Sequence, residues 1–498
     1  MKNSKKFCIA ALSLLMLSSC GGKKDPSGGE ISSEGSAVNS VSSSSGGKTE
    51  IKDAWWSTTG TLEKEEGQVV FEDVDISLTT VVNGEDLSAF NQLVAQFNAE
   101  YRGKINVSVT SVNQSTYEST VAQQIANNSN APDLLMSHQK GHKSFVKNKL
   151  IQPFDEAMEL SGIEISMNDY ASGLAKYASL DYDGYTFGVP IDAQSEVVYY
   201  NKQMLEKYGG SLPTNHEELI ELCEAVAQGE NILPIAWSTS LDFFSLYVFP
   251  TAIVQNGGHF YDGTYRADWY SDETNRAAFK AGIQSIRDLT THTPQLASYT
   301  LAESAALNNF LTNKALFFVG MPWNSNSIFE AYGAQNGGLS TAAVKADRIG
   351  GTSLANWFAL DSGEDGNKIF GDSHFFAMSK TVRSINKKAA ILEFMKWFTQ
   401  NASVGTAWAE AGHISASTII GNDDTYLNND YVQNYITQFY PDINYFECPG
   451  NTPYYEDTFN SIISLFSSVR NSDNTANDDK IIKDAADSVN AIIDFLEM

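Results

Sequence analysis

Between Asp75 and Met136 the chain alternates between two periodicities, and this alternation limits the possible folds more than any other feature. Asp75–Val82 (DISLTTVV) is rich in β-branched residues and reads as a strand ending at Asn83-Gly84-Glu85-Asp86. Leu87–Glu100 then places Leu87, Phe90, Leu93, Val94 and Phe97 on one helical face, with Asp86 as the expected N-cap. Ile105–Val112 (INVSVTSV) reads as a second strand, Tyr117–Asn127 as a helix with Val121 and Ile125 inward, and Asp133–Met136 as a short buried strand. A βαβαβ order predicts an α/β fold with a parallel sheet covered by helices, whose ligands gather at the carboxyl ends of the strands. Farther on, Thr274–Leu289 and Lys387–Thr399 have helical spacing, the second burying Ile391, Phe394, Met395 and Phe398. No repeat of fixed period occurs.

Residues 1–20 obey a different logic. Lys2, Lys5 and Lys6 precede Phe7–Leu17, an eleven-residue, mostly apolar run. A membrane-spanning helix needs roughly 20 apolar residues, whereas a run of this length suits a secretory signal peptide. Leu17-Ser18-Ser19-Cys20-Gly21 closes it and resembles the bacterial lipobox. That resemblance implies cleavage before Cys20, a diacylglycerol on its sulfur, and a chain anchored to the cell membrane on the extracellular or periplasmic side. Gly21–Thr49, nearly all Gly, Ser, Lys and Glu, reads as a flexible tether. Its Gly46-Gly47-Lys48-Thr49 lacks the earlier glycine and preceding strand of a phosphate loop and is discarded as a nucleotide site. Trp55–Gly67 and the acidic stretch to Asp75 read either as an added strand and turn on the first lobe or as more tether, so 21–74 stays partly unassigned. No further run of membrane length follows, and the body is expected to be soluble and held near the membrane.

Acids outnumber bases by 60 to 33, a formal charge of −27, and cleavage before Cys20 removes three of the lysines and no acid. Such acidity repels nucleic-acid phosphates and anionic lipid surfaces, and it suits a solvated monomer. With 42% hydrophobic residues the remainder can bury a large core. Of the four cysteines, Cys8 and Cys20 lie in the leader. Cys223 shares a helical face with Leu219, Leu222 and Val226, so it reads as a small core hydrophobe rather than a disulfide partner. His138 and His142 stand four apart, but Gly141 between them predicts a loop; no metal and no cofactor are expected. Nor is catalysis expected. The chain carries no nucleophile elbow, and among 60 acids a pair at glycosidase separation always exists somewhere.

Several stretches together resemble the family 1 extracellular solute-binding proteins, whose best-known members bind maltose and other oligosaccharides. Phe97-Asn98 followed by Lys104–Val107 is similar to that family's "Phe-Glu … Ile-Lys-Val", and Ala131-Pro132-Asp133-Leu134-Leu135 to its "Gly-x-Pro-Asp-Val". Tyr185–Pro190, Val198–Lys202, Tyr208-Gly209-Gly210 and Pro213–Leu219 resemble "Tyr-Gly-Val-Pro … Tyr-Tyr-Asn-Lys … Gly … Pro-x-Thr-Trp-Asp-Glu-Leu", with His216 in place of the tryptophan. Phe310–Trp323 (FLTNKALFFVGMPW) resembles "Phe-x-x-Gly-Lys-Ala-Ala-Met … Gly-x-Trp", with Asn313 for glycine. Lys387–Trp397 and Ala411-Gly412-His413 resemble the "Lys-Lys-Ala-Ala-x-x-Phe" helix and the "Gly-x-Leu-Pro" loop, the proline being absent. The match runs in order over 75–498, with 334–371 longer and more polar than usual.

The resemblance implies a two-lobed, periplasmic-binding-protein-like α/β fold of type II. The lobes comprise 75–193 with 372–411 and 194–371 with 412–498. Hinge strands cross near Asp192–Gln194, Gly371–Ser373 and Gly412–Ile414. It also implies a small carbohydrate ligand delivered to the permease subunits of an ABC transporter. A non-sugar solute (a glycerol phosphodiester or peptide) is the alternative, with a surface glycan-acting enzyme or an adhesin behind it. A sugar site needs carboxylates and amides for hydroxyls and flat aromatics for the ring face. Trp323 stands at the family's stacking position, the alternative being an apolar plug between lobes. Gln194 and Asp192 lie at the first crossing and His374 at the second. Glu85 and Asp86 are either hydroxyl acceptors or helix-start residues. Ser137, His138 and Gln139 follow a strand at its carboxyl end, and Trp237 ends Leu233–Trp237. Trp357 and Tyr455 complete the candidates, although aromatics in such numbers also fill cores.

Overall fold

Alternate residues Val74, Ile76 and Leu78 seek cover, and Val74–Thr80 (β1) buries them while Asp75 and Ser77 face water. The computed structural model describes residues 55–498 apart from 57, 179–183, 230–231, 238–243, 293–302, 450–451 and 471–474. The leader, Cys20 and the Gly/Ser-rich segment lie outside the described residues.

Gly84–Glu100 (α1) begins three residues before the expected start. Asn83 rather than Asp86 is the N-cap residue: its backbone is extended, and Gly84 turns the chain at φ +58°, open to glycine. Glu85 and Asp86 therefore fall in the first turn, where carboxylates meet unpaired N–H groups. Ile105–Ser111 (β2), Tyr117–Ala126 (α2) and Leu134–His138 (β3) follow, and β1 pairs parallel with both β2 and β3. Gln139–Lys147 (α3) overturns the loop expected around Gly141. That glycine makes room: a Cβ there would stand 3.0 Å from Glu118 Cγ.

The chain then crosses to a second sheet. Val197–Asn201 (β4) is followed by His216–Ala227 (α4), whose buried face holds Leu219, Leu222, Cys223 and Val226. Burial pushes the Cys223 thiol up to about 12. Leu233–Trp237 (β5), Glu273–His292 (α5), Ala315–Gly320 (β6) and Ile349–Thr352 (β7) complete the layer, in strand order β5-β6-β4-β7. Here β5 and β6 run parallel, while β4 is antiparallel to β6 and β7.

His374–Ser379 (β8) returns to the first sheet, antiparallel to β3. Ile385–Gln400 (α6) and Ala402–Glu410 (α7) cover that sheet, and Tyr455–Arg470 (α8) packs on Asp478–Glu497 (α9). One hydrophobic core fills the first lobe and continues through Tyr199, Phe318 and Phe329 onto one face of the second sheet; another fills the opposite face.

Short ladders join the lobes. Ala193 pairs with Ile414 and Asp192 with Ser415, Gln194 bridges Asp372, and Ile369-Phe370 lie parallel to Phe446-Glu447. The segment around Phe446 was not among the expected crossings. Trp55, Thr58 and Thr59 pack on the first lobe: Trp55 stacks on Phe187, Thr58 bonds Glu156 and Lys388, and Thr59 bridges Ser384. A small hairpin pairs Lys64-Glu65 with Gln68-Val69. No described helix is long and apolar enough to cross a membrane.

Candidate functional site

The loops leaving β1 and β2 place Asn83, Asn113, Gln114 and Ser115 around one cavity, and His138 at the end of β3 and Lys140 in the first turn of α3 join them. Gln194 and Asp372 line its base at the hinge, and Leu246, Tyr247 and Trp323 face them from the second lobe. The cavity measures about 600 Å³, inside the roughly 300–1,000 Å³ common for small-molecule sites.

Its wall is mostly amide and hydroxyl, groups that both donate and accept. His138 Nδ1 donates to Asp372 Oδ2 at 2.8 Å, and Gln114 Nε2 donates to His138 Nε2 at 3.1 Å. Burial holds His138 below the usual imidazole range despite the Asp372 charge, which fits a neutral ring carrying its proton on Nδ1. Lys140 is the one lysine or arginine among the described lining residues. Its ammonium lies 2.9 Å from Glu456 Oε1. Burial alone would lower Lys140, but Glu456, Asp372 and Glu118 outweigh it and hold the amine above its ordinary value. Burial, then Glu456, pushes the Glu118 carboxyl up to about 7. The cation is thus already matched by acids.

Next to the cavity, the hinge holds a buried polar knot. Asp192, fully buried, accepts from the His374 backbone N–H at 2.9 Å and from Trp408 Nε1 at 2.7 Å, and its Oδ2 lies 2.9 Å from His374 Nδ1. Burial would raise the Asp192 carboxyl, but His374, then His413, hold it at about 2. Burial would likewise lower His374, yet Asp192 and then Asp372 keep it raised. His413 stacks on Trp408 at 4.2 Å and 7°, and on Trp323 at 6.2 Å. Gly412 permits this packing, for at φ +103° a Cβ would meet the Trp323 backbone nitrogen at 2.5 Å.

Of the residues singled out from sequence, Trp323, Gln194 and His138 line the cavity. Asp192 and His374 belong to the hinge knot, and Asp86 reaches it with Oδ2 3.6 Å from His413 Nε2. Glu85 points to solvent. Ser137 and Gln139 are sealed behind the wall with no hydrogen-bond partner for their side-chain polar atoms. Trp237, Trp357 and Tyr455 are enclosed in the second-lobe core, Trp237 at the end of β5, Tyr455 at the start of α8 and Trp357 in a bend beyond β7. Sequence reasoning missed Asn83, Asn113, Gln114, Ser115, Lys140, Leu246, Tyr247 and Asp372. The first four stand directly after strands, the one signal that could have found them.

Residues 92–435 match the model of a family described as bacterial extracellular solute-binding protein. The sn-glycerol-3-phosphate-binding periplasmic protein UgpB of Pectobacterium atrosepticum is 27% identical over 137 residues, 27% of this chain and 30% of that protein. The match thus spans less than a third of that curated relative. Among solved structures, the sugar-binding protein MalE from Xanthomonas citri superposes with a TM-score of 0.67 at 14% identity, over 85% of this chain and 98% of that one. Maltose-bound MalE3 of T. maritima gives 0.64 at 17%, over 84% and 100%. At such identities these two establish the fold, two lobes of α/β type.

Proposed function

Because the chain belongs to the bacterial extracellular solute-binding proteins, we propose that it holds a small carbohydrate between its lobes and hands it to the permease of an ABC-type importer. One observation carries the choice of ligand: a cavity walled by amides and hydroxyls, faced by Trp323 and Tyr247, whose single lysine is already matched by Glu456. Asn83, Asn113, Gln114, Ser115 and Gln194 suit hydroxyls at fixed angles, and the indole suits the apolar face of a sugar ring. A phosphate would find Asp372 in the wall, Glu456 beside Lys140 and no unmatched lysine or arginine among the described lining residues, which weighs against a glycerol phosphodiester despite the UgpB likeness. The family and fold are those of binding proteins, and binding without turnover is the reading adopted.

Calorimetry with mono- and oligosaccharides set against glycerol 3-phosphate tests this. A saturable sugar isotherm is expected, with a stabilisation of about 2.7 kcal/mol at 100 times Kd. Binding of glycerol 3-phosphate alone would transfer the site to a phosphate ligand. The mature chain acts as a monomer held to the outer face of the membrane by lipid on Cys20. Loss of detergent-phase partitioning in Cys20→Ser checks the anchor; unchanged partitioning and processing would dismiss it.

A further inference from the structure

We propose that Asp192, His374 and His413 form a binding site for one divalent transition-metal ion of the zinc type, buried in the hinge. Each ligand comes from a different crossing: Asp192 from the first, His374 just after the second, His413 from the third. The candidate donor atoms all lie within 4.8 Å of one another, and all three side chains are buried. His374 Nδ1 and His413 Nδ1 stand 2.9 and 3.4 Å from Asp192 Oδ2. Two imidazole nitrogens and one carboxylate oxygen, each about 2.0–2.2 Å from a shared ion, need little more than this spacing. This donor set suits Zn²⁺, Co²⁺ or Ni²⁺ better than Ca²⁺ or Mg²⁺, which prefer oxygen.

A second observation points to an absent partner. His413 is fully buried, yet neither of its ring nitrogens makes a hydrogen bond. A buried imidazole left this way is costly unless something binds it. Its surroundings are those of a held ligand. Trp408 stacks flat on the ring and fixes its plane, while Nε2 faces Asp86 Oδ2 at 3.6 Å. A carboxylate behind the far nitrogen of a metal-bound histidine orients the ring and raises its donor strength. Trp408 Nε1–H and the His374 backbone N–H similarly pin the Asp192 carboxylate. An ion here would tie the three crossing segments at one point, so lobe movement would depend on it.

The test uses the full chain in detergent, stripped with chelator and titrated with Co²⁺ and Zn²⁺. We expect one Co²⁺ per chain with a visible d–d spectrum, displaced by Zn²⁺, and a raised melting temperature with either ion. His413→Gln and His374→Gln should weaken binding by about 100-fold or more. Asp86→Asn, acting behind the ligand, should weaken it by about 10–100-fold. His259→Gln, whose ring faces Asp268 and touches none of the three ligands, should leave it unchanged. Absence of stoichiometric uptake by the wild type overturns the proposal, as does undiminished uptake by a folded His413→Gln protein. Should His413→Gln fail to fold, Asp86→Asn decides: unchanged affinity there is equally fatal.

Discussion

Trp323 is half-buried, presenting its indole to the cavity while its backbone presses on Gly412. Truncating an aromatic anchor of this kind typically costs about 2–4 kcal/mol of binding. Trp323→Ala should therefore weaken the best sugar by roughly 30-fold or more, at 1.4 kcal/mol per decade. Gln194→Ala removes one or two hydrogen bonds of about 0.5–1.5 kcal/mol each and should do less. Calorimetry beside melting curves without ligand checks both, and the melting points should stay close to wild type. A Trp323→Ala protein that melts far lower yet binds normally would make the residue an interlobe plug. At this scale the sequence was only partly legible. Trp323 and Gln194 could be set at the cavity because motifs place them beside an apolar strand and a crossing. Asn113 and Ser115 look like any turn residues, and nothing local separates a cavity-facing amide from a solvated one. Trp237 lies in the core for the converse reason: a ring at a strand end fits a core as well as a cleft, and only packing decides, as it does for Trp357 in its bend.

Helix α3 shows what periodicity reveals of an element and what it conceals. Gly141 suggested a break, yet the helix runs through it, and α2 approaches so closely that a Cβ there would press on Glu118 Cγ at 3.0 Å. The helix then turns His142 inward, fully buried, against the Phe375 ring at 5.2 Å, with both ring nitrogens lacking hydrogen bonds. Burial lowers this imidazole to about 3. With the folded value below the unfolded one near 6.5, its contribution to stability is fully present above pH 6.5 and is lost as pH falls towards 3. At 1.36 kcal/mol per unit this amounts to about 2 kcal/mol between pH 6.5 and 5. His142→Leu should remove that share of the acid sensitivity, read from urea midpoints at pH 7 and pH 5. Equal losses in both proteins would assign it to other groups. Longer elements such as β1, α1 and α6 were readable from spacing alone, because a single exposed face leaves one register. Their ends were not: α1 starts at Gly84 because an extended Asn83 and a left-handed glycine set the turn.

Across the whole molecule, the two lobes are drawn together by one face of α3. Lys140, Lys143 and Lys147 recur at helical spacing and reach the second lobe. Lys140 pairs with Glu456, Lys143 lies 4.1 Å over the Tyr265 ring, and Lys147 lies 4.1 Å over that of Tyr454 and bonds its hydroxyl. No sequence motif announces this contact, since its partners are more than a hundred residues apart and meet only through the hinge. Each cation–π contact is worth about 0.5–2 kcal/mol, depending on how dry it is. Losing two should shift the closed-to-open ratio of the ligand-free protein by roughly 5- to 700-fold at 1.4 kcal/mol per decade. A Lys143→Ala/Lys147→Ala protein should therefore show a larger radius of gyration by X-ray scattering without ligand. Saturating sugar should restore compaction, because a ligand that favours the closed form shifts the population by its differential affinity. The apparent affinity should fall by the fraction of closed form lost, with calorimetry and scattering agreeing on that fraction. Trp323→Ala makes the opposite control, weak in binding but unaltered in ligand-free shape. If the double lysine variant scatters like wild type without ligand, α3 merely touches the second lobe and closure is governed by the hinge strands and the ligand.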